Sequence, residues 1–67
     1  MQAIKLKDLK QGEYFTRKPI EEPQERQVFI RRYYERTAKK YLCERFSNMN
    51  DGIFLKGETT VYIDFYF

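Results

Sequence analysis

Residues 26–46 read RQVFIRRYYERTAKKYLCERF, two runs of β-branched and aromatic residues parted by a short polar stretch. Val28, Phe29, Ile30, Tyr33 and Tyr34 are residue types that suit a pleated, half-buried surface. Glu35, Arg36, Ala38 and Lys39 in the middle make a helix the rival reading. Cross-strand chemistry decides for a hairpin, with strands over 28–36 and 39–46 joined through Arg36, Thr37, Ala38 and Lys39. Pairing Glu35 with Lys40 sets Arg31 opposite Glu44, Phe29 opposite Phe46 and Tyr33 opposite Leu42. Each such pair contributes about 0.2–1 kcal/mol. In this register Val28, Ile30, Tyr34, Tyr41 and Cys43 share the face assigned to the core, with Arg32 and Arg45 snorkelling at its edge. Phe29, Arg31, Tyr33, Lys40, Leu42, Glu44 and Phe46 share the other face.

Charge follows the same division. Residues 26–46 hold seven Lys/Arg against two Asp/Glu, a local balance of +5. Residues 1–25 hold five of each sign, and residues 47–67 hold one base and three acids, a balance of −2. The net charge of +3 therefore hides a basic centre in an otherwise neutral-to-acidic chain.

Sixty-seven residues make a single domain, 1–67. A domain of this size buries only about 60% of its unfolded surface. Such a core supplies roughly 3–5 kcal/mol unaided. One cysteine and no histidine leave no disulfide within the chain and no zinc site. Burial must come from the six Tyr and six Phe residues, or from association. No apolar run reaches the length of a membrane span. The opening MQAIKLKDLK has lysines without an apolar stretch, so no secretory signal is expected there. The expected setting is reducing and cytoplasmic.

Elsewhere the chain alternates in short pieces. Ile4 and Leu6 face one way over 3–6, and a turn over 8–12 places Gly12 at a positive φ and Leu9 at the end of a core. A second strand runs over 13–18. Pro19 and Pro23 make 19–25 a loop with room for one helical turn. Residues 47–52 read as a loop, and Ile53, Phe54 and Leu55 as a brief apolar run. Residues 59–67 alternate strictly, with Val61, Ile63, Phe65 and Phe67 on one side. Val61, Ile63 and Phe65 are accordingly expected in the core, and the last residues are expected to be tied into the sheet. The pattern predicts a mainly β domain with no helix beyond about two turns. Five strands are expected, in a small, strongly bent antiparallel sheet or a partly open SH3-like barrel.

The opening IKLKDLKQGEYF resembles the first strand and turn of many small SH3-like proteins. Through KDLKQGEYF, the hairpin and the ending FLKGETTVYIDFYF, the whole chain also resembles short proteins carried by bacterial phages and mobile elements. That likeness transfers no activity and implies no cofactor. It makes an adaptor or modulator role a natural expectation.

Catalytic chemistry has little to stand on. Cys43 lacks a histidine partner and sits mid-strand, where a free cysteine behaves as a small hydrophobe. Asp64 is a lone carboxylate opposite an apolar stripe. Glu21, Glu22 and Glu25 lack the spacing of a calcium loop, and Gly12, Gly52 and Gly57 are isolated turn residues. The expectation is a non-catalytic binding module without cofactor or metal. Its binding residues are expected to be Phe29, Arg31, Arg32, Tyr33, Arg36, Lys39 and Lys40. An Arg- and aromatic-rich patch fits a protein partner or a second copy of the chain. It also fits nucleic acid held along 28–46, with cations on phosphates and rings on bases. Salt separates the two, because phosphate binding weakens steeply with ionic strength.

Overall fold

In the computed structural model, which describes all 67 residues, six strands form one antiparallel sheet. They are β1 (Gln2–Lys5), β2 (Tyr14–Thr16), β3 (Val28–Glu35), β4 (Lys40–Arg45), β5 (Asn48–Leu55) and β6 (Thr60–Ile63). Their order across the sheet is β1-β6-β2-β3-β4-β5. There is no α-helix, only single 3-10 turns at Leu6–Asp8 and Glu25–Gln27. The expectation of a mainly β, antiparallel sheet holds; the count of five strands and the alternative of a partly open barrel do not. There are six strands rather than five, because residues 48–52 join the apolar run 53–55 as β5. And β1 and β5 are free edges, so the sheet is open and not closed into a barrel.

The core lies on one face. Leu6, Leu9, Phe15, Phe29, Cys43 and Val61 form its buried cluster. Ile4 of β1 and Ile53 and Leu55 of β5 pack against that cluster from the two edge strands. Lys7, just after β1, and Tyr41 of β4 both come up against Gly57, so the sheet curves around this face, which is the concave one. Phe15 and Phe29 are cross-strand partners with rings stacked at 5.7 Å between centroids. Gly12 takes φ 93, as the turn requires, and Leu9 is buried at the core's end. Thr16 is fully buried, and its hydroxyl donates to the Lys18 carbonyl at 2.7 Å. That bond removes the cost of an unpaired buried hydroxyl.

The first 3-10 turn is clasped to the β5–β6 connection. The Leu6 and Lys7 amides donate to the Thr59 and Gly57 carbonyls at 2.9 and 3.0 Å. A Cβ on Gly57 would sit 3.1 Å from both Lys7 Cβ and Tyr41 Cε2, so a side chain there would push the clasp apart. Lys7 also donates to Glu58 at 2.7 Å. This pair raises the Lys7 ammonium and lowers the Glu58 carboxyl from their ordinary pKa values, chiefly through the hydrogen bond.

The hairpin carries the main departure from simple alternation. Glu35 pairs with Lys40 as expected, and Tyr34 pairs with Tyr41. Between Tyr34 and Arg31 the register shifts, and Arg31 then faces Cys43, Ile30 faces Glu44 and Phe29 faces Arg45. The expected pairs Arg31–Glu44, Phe29–Phe46 and Tyr33–Leu42 are therefore replaced. Arg32 and Tyr33 together oppose Leu42, which is a β-bulge. One extra residue inverts the faces of everything on β3 before it. Phe29 and Arg31 move to the concave face, and Val28, Ile30 and Arg32 move to the outer one. The β4 assignments stand.

β6 ends at Ile63, four residues short of the expected end of the alternation. Asp64 adopts φ 61, a left-handed conformation that aspartate tolerates better than most residues. The tail then leaves the sheet, and the Tyr66 amide donates to the Glu21 carbonyl at 2.8 Å. Val61 is core and Ile63 packs against it, but Phe65 belongs to a separate aromatic group with Phe67.

Candidate binding surface

The outer face of the sheet has two halves. Over β3, Tyr14 from β2 and Phe46 from the end of β4 meet with ring centroids 5.6 Å apart. Phe67 touches both, at 6.1 Å from Tyr14 and 4.9 Å from Phe46. Tyr14 pairs with Ile30, and the Phe46 amide donates to the Val28 carbonyl, so these rings lie above Val28 and Ile30. Both aliphatic residues are buried, yet neither belongs to the concave cluster. The C-terminal tail thus completes a second, smaller core.

Over β4 and β5 nothing comparable covers the sheet. The bulge sets Tyr33 beside Leu42, and Leu42 pairs with Phe54. These three side chains form a row across β3, β4 and the edge strand β5. Tyr33 is 49% exposed and Phe54 46%, and Leu42 is half-buried between them. Polar groups flank the row: Arg32 is paired with Glu44 on one side, and Lys40 stands across from Glu35 on the other. At the β3–β4 turn, Arg36, Lys39 and Lys40 make no ion pair. Lys39 holds φ 56 there, and Glu35 accepts from the Thr37 amide at 3.1 Å. The turn is therefore fixed, and with Arg36, Lys39 and Lys40 against Glu35 it presents an excess of positive charge at one end of the apolar row.

The seven expected binding residues separate in space. Phe29 is 5% exposed and belongs to the core, so it is withdrawn from the binding set. Arg31 lies on the concave face with its guanidinium 4.3 Å from the Tyr41 ring centroid. Its Nε is buried without a hydrogen-bond partner. Arg32 is held by Glu44. Tyr33, Arg36, Lys39 and Lys40 stay together on the outer face and at the turn. Phe54 joins them from the expected apolar run 53–55; only the pairing of β5 with β4 shows that it shares a face with Leu42.

Cys43 is fully buried, and burial pushes its thiol up to about 11, with Arg31 and Arg17 pulling the other way. A thiol so protected is a poor nucleophile. No group of three or more Cys, Asp or Glu side chains is placed to hold a metal ion.

A second basic feature is assembled only by the fold. Arg17, Lys18, Arg26 and Arg45 surround a groove of about 500 Å³ whose apolar walls are Ile20 and Phe29. The expected strand over 13–18 holds Arg17 and Lys18, and Arg26 follows the expected loop over 19–25. Only the pairing of Thr16 with Val28 brings them side by side.

No protein family, curated protein or solved structure matches the chain.

Proposed function

We propose that this protein is a non-catalytic module that binds an acidic partner protein on the bare half of its outer face. The observation that carries the reading is the row Tyr33–Leu42–Phe54 with unpaired Arg36, Lys39 and Lys40 at its end. Aromatic anchors next to positive charge are the usual composition of a binding hot spot. The cations add speed of encounter and orientation more than affinity. β5 supports the same reading, because an edge strand offers free backbone groups to an extended segment laid along it. The partner's chemistry follows from the surface: an apolar side chain or two over Leu42 and Phe54, and carboxylates toward the turn.

Nucleic acid is the second reading, favoured by exposed Tyr33 on the same face as these cations. One titration distinguishes them. An extended peptide alternating Glu with Leu, and a single-stranded oligonucleotide, are each added at low and moderate salt while backbone amide shifts are followed. Peptide-induced shifts at Tyr33, Lys40, Leu42 and Phe54 that persist at moderate salt are expected. Shifts with the oligonucleotide alone, collapsing with salt, would replace the protein reading by the nucleic-acid one. Peptide shifts spread evenly over other faces would overturn the assignment of the surface.

A further inference from the structure

The groove between the end of β2 and the end of β4 bears on a different ligand and does not depend on the reading above. Four cations line it and no carboxylate does. Arg17, Lys18 and Arg26 are solvent-exposed and make no ion pair. Arg45 is fixed in place: its Nε donates to Asp51 at 2.8 Å, its Nη1 donates to the Arg26 carbonyl, and its guanidinium lies 4.8 Å from the Phe29 ring centroid. Like charges gathered in a concavity repel one another, and the concavity focuses their field outward. The acidic residues of the neighbouring loop, Glu21, Glu22 and Glu25, could have relieved this repulsion, yet none of them lines the groove. No side chain of the molecule supplies an anion to Arg17, Lys18 or Arg26.

The shape narrows the choice. Three of the four cations are arginines, whose planar forks match the oxygens of phosphate with paired hydrogen bonds. Three unpaired positive charges suit a dianion better than a singly charged diester or carboxylate. A volume of about 500 Å³ exceeds what a bare phosphate needs, and half-buried Ile20 offers apolar wall to whatever the phosphate carries. We propose that this groove binds phosphate monoesters bearing a flat or apolar body, for which a nucleoside monophosphate is the simplest stand-in. The same chemistry occurs in a free nucleotide and in the 5′-phosphorylated end of a nucleic-acid strand.

The test uses the intact protein at low salt and follows the amides of Arg17, Lys18, Arg26 and Gln27. The probes are inorganic phosphate, adenosine 5′-monophosphate, adenosine, and a short oligonucleotide with and without its 5′-phosphate. Adenosine 5′-monophosphate should shift these amides and bind more tightly than phosphate, and adenosine should leave them unmoved. Arg17→Gln and Arg26→Gln should each weaken the nucleotide about ten-fold, as expected when a charge-assisted hydrogen bond is lost. Both positions are exposed, so folding is not at issue. Lys56→Gln removes the same charge from an exposed position outside the groove and should change affinity little. Tighter binding of the phosphorylated strand than of the nucleotide would identify a strand end as the ligand; the reverse would identify a free metabolite. No shift with any phosphorylated probe would overturn the proposal. So would an equal loss of affinity in Lys56→Gln, because attraction would then be a property of net charge and not of the groove.

Discussion

The two halves of the outer face carry the same kinds of side chain and differ in what lies over them. Tyr14, Phe46 and Phe67 close over Val28 and Ile30 because the tail turns at Asp64 and crosses β3. Tyr33, Leu42 and Phe54 form an equally apolar row that no segment of the chain reaches. An aromatic residue is structural in one half and available for contact in the other. Composition cannot separate these roles; the path of four C-terminal residues does. The concave face provides the scale against which both halves are judged.

The largest effect is expected on that concave face. Phe15→Ala removes a fully buried ring stacked on Phe29 and should cost about 3–5 kcal/mol. That is most of the stability of so small a domain, so urea titration should find the variant largely unfolded. A near-normal midpoint would mean that the outer face, not the concave one, holds the molecule together.

The dryness of the concave face is measurable through Cys43. Burial raises its folded pKa from 9.0 to about 11, so the native state keeps a proton that the unfolded chain loses. The stability tied to the neutral thiol is complete below pH 9 and is lost as pH rises toward 11. Urea midpoints between these limits should therefore fall more steeply for the native sequence than for Cys43→Ala. The difference in slope is at most about 1.4 kcal/mol per pH unit. Parallel curves would show that water reaches the thiol.

Phe67→Ala tests the covered half. Its ring is 54% exposed but contacts Tyr14, Phe46 and Phe65, so its loss should cost about 1–2 kcal/mol. Phe54→Ala tests the bare half and should change stability by no more than about 0.5 kcal/mol, as surface substitutions do. It should nevertheless abolish the amide shifts produced by the acidic peptide. If Phe54→Ala destabilised as much as Phe67→Ala, the two halves would be equivalent and the assignment of a free surface would fail.

Much of the fold was legible in the residues. The β-rich hairpin, its turn at 36–39, the pairing of Glu35 with Lys40, the positive φ of Gly12 and the burial of Leu9, Cys43 and Val61 all follow from local preference and alternation. These features depend on residues near one another in sequence, or on a side chain that tolerates little but burial. The absence of histidine and of paired cysteines likewise limits the chemistry without any coordinates.

Tertiary structure alone decided the rest. The bulge opposite Leu42 is worth one residue, yet it exchanges the faces of Phe29 and Arg31 with those of Val28, Ile30 and Arg32. Both alternations in the stretch Val28–Phe29–Ile30 are apolar and buried, so the pattern itself is silent about which side faces inward. The end of β6 is equally silent, because Phe65 and Phe67 continue the alternation while the backbone at Asp64 abandons the strand. The basic groove joins Arg17 and Lys18 to Arg26 and Arg45 across pairings that no local signal specifies. Alternation records that a residue is half-buried. Which neighbour buries it is settled only when distant strands choose their register and the tail chooses a face to cover.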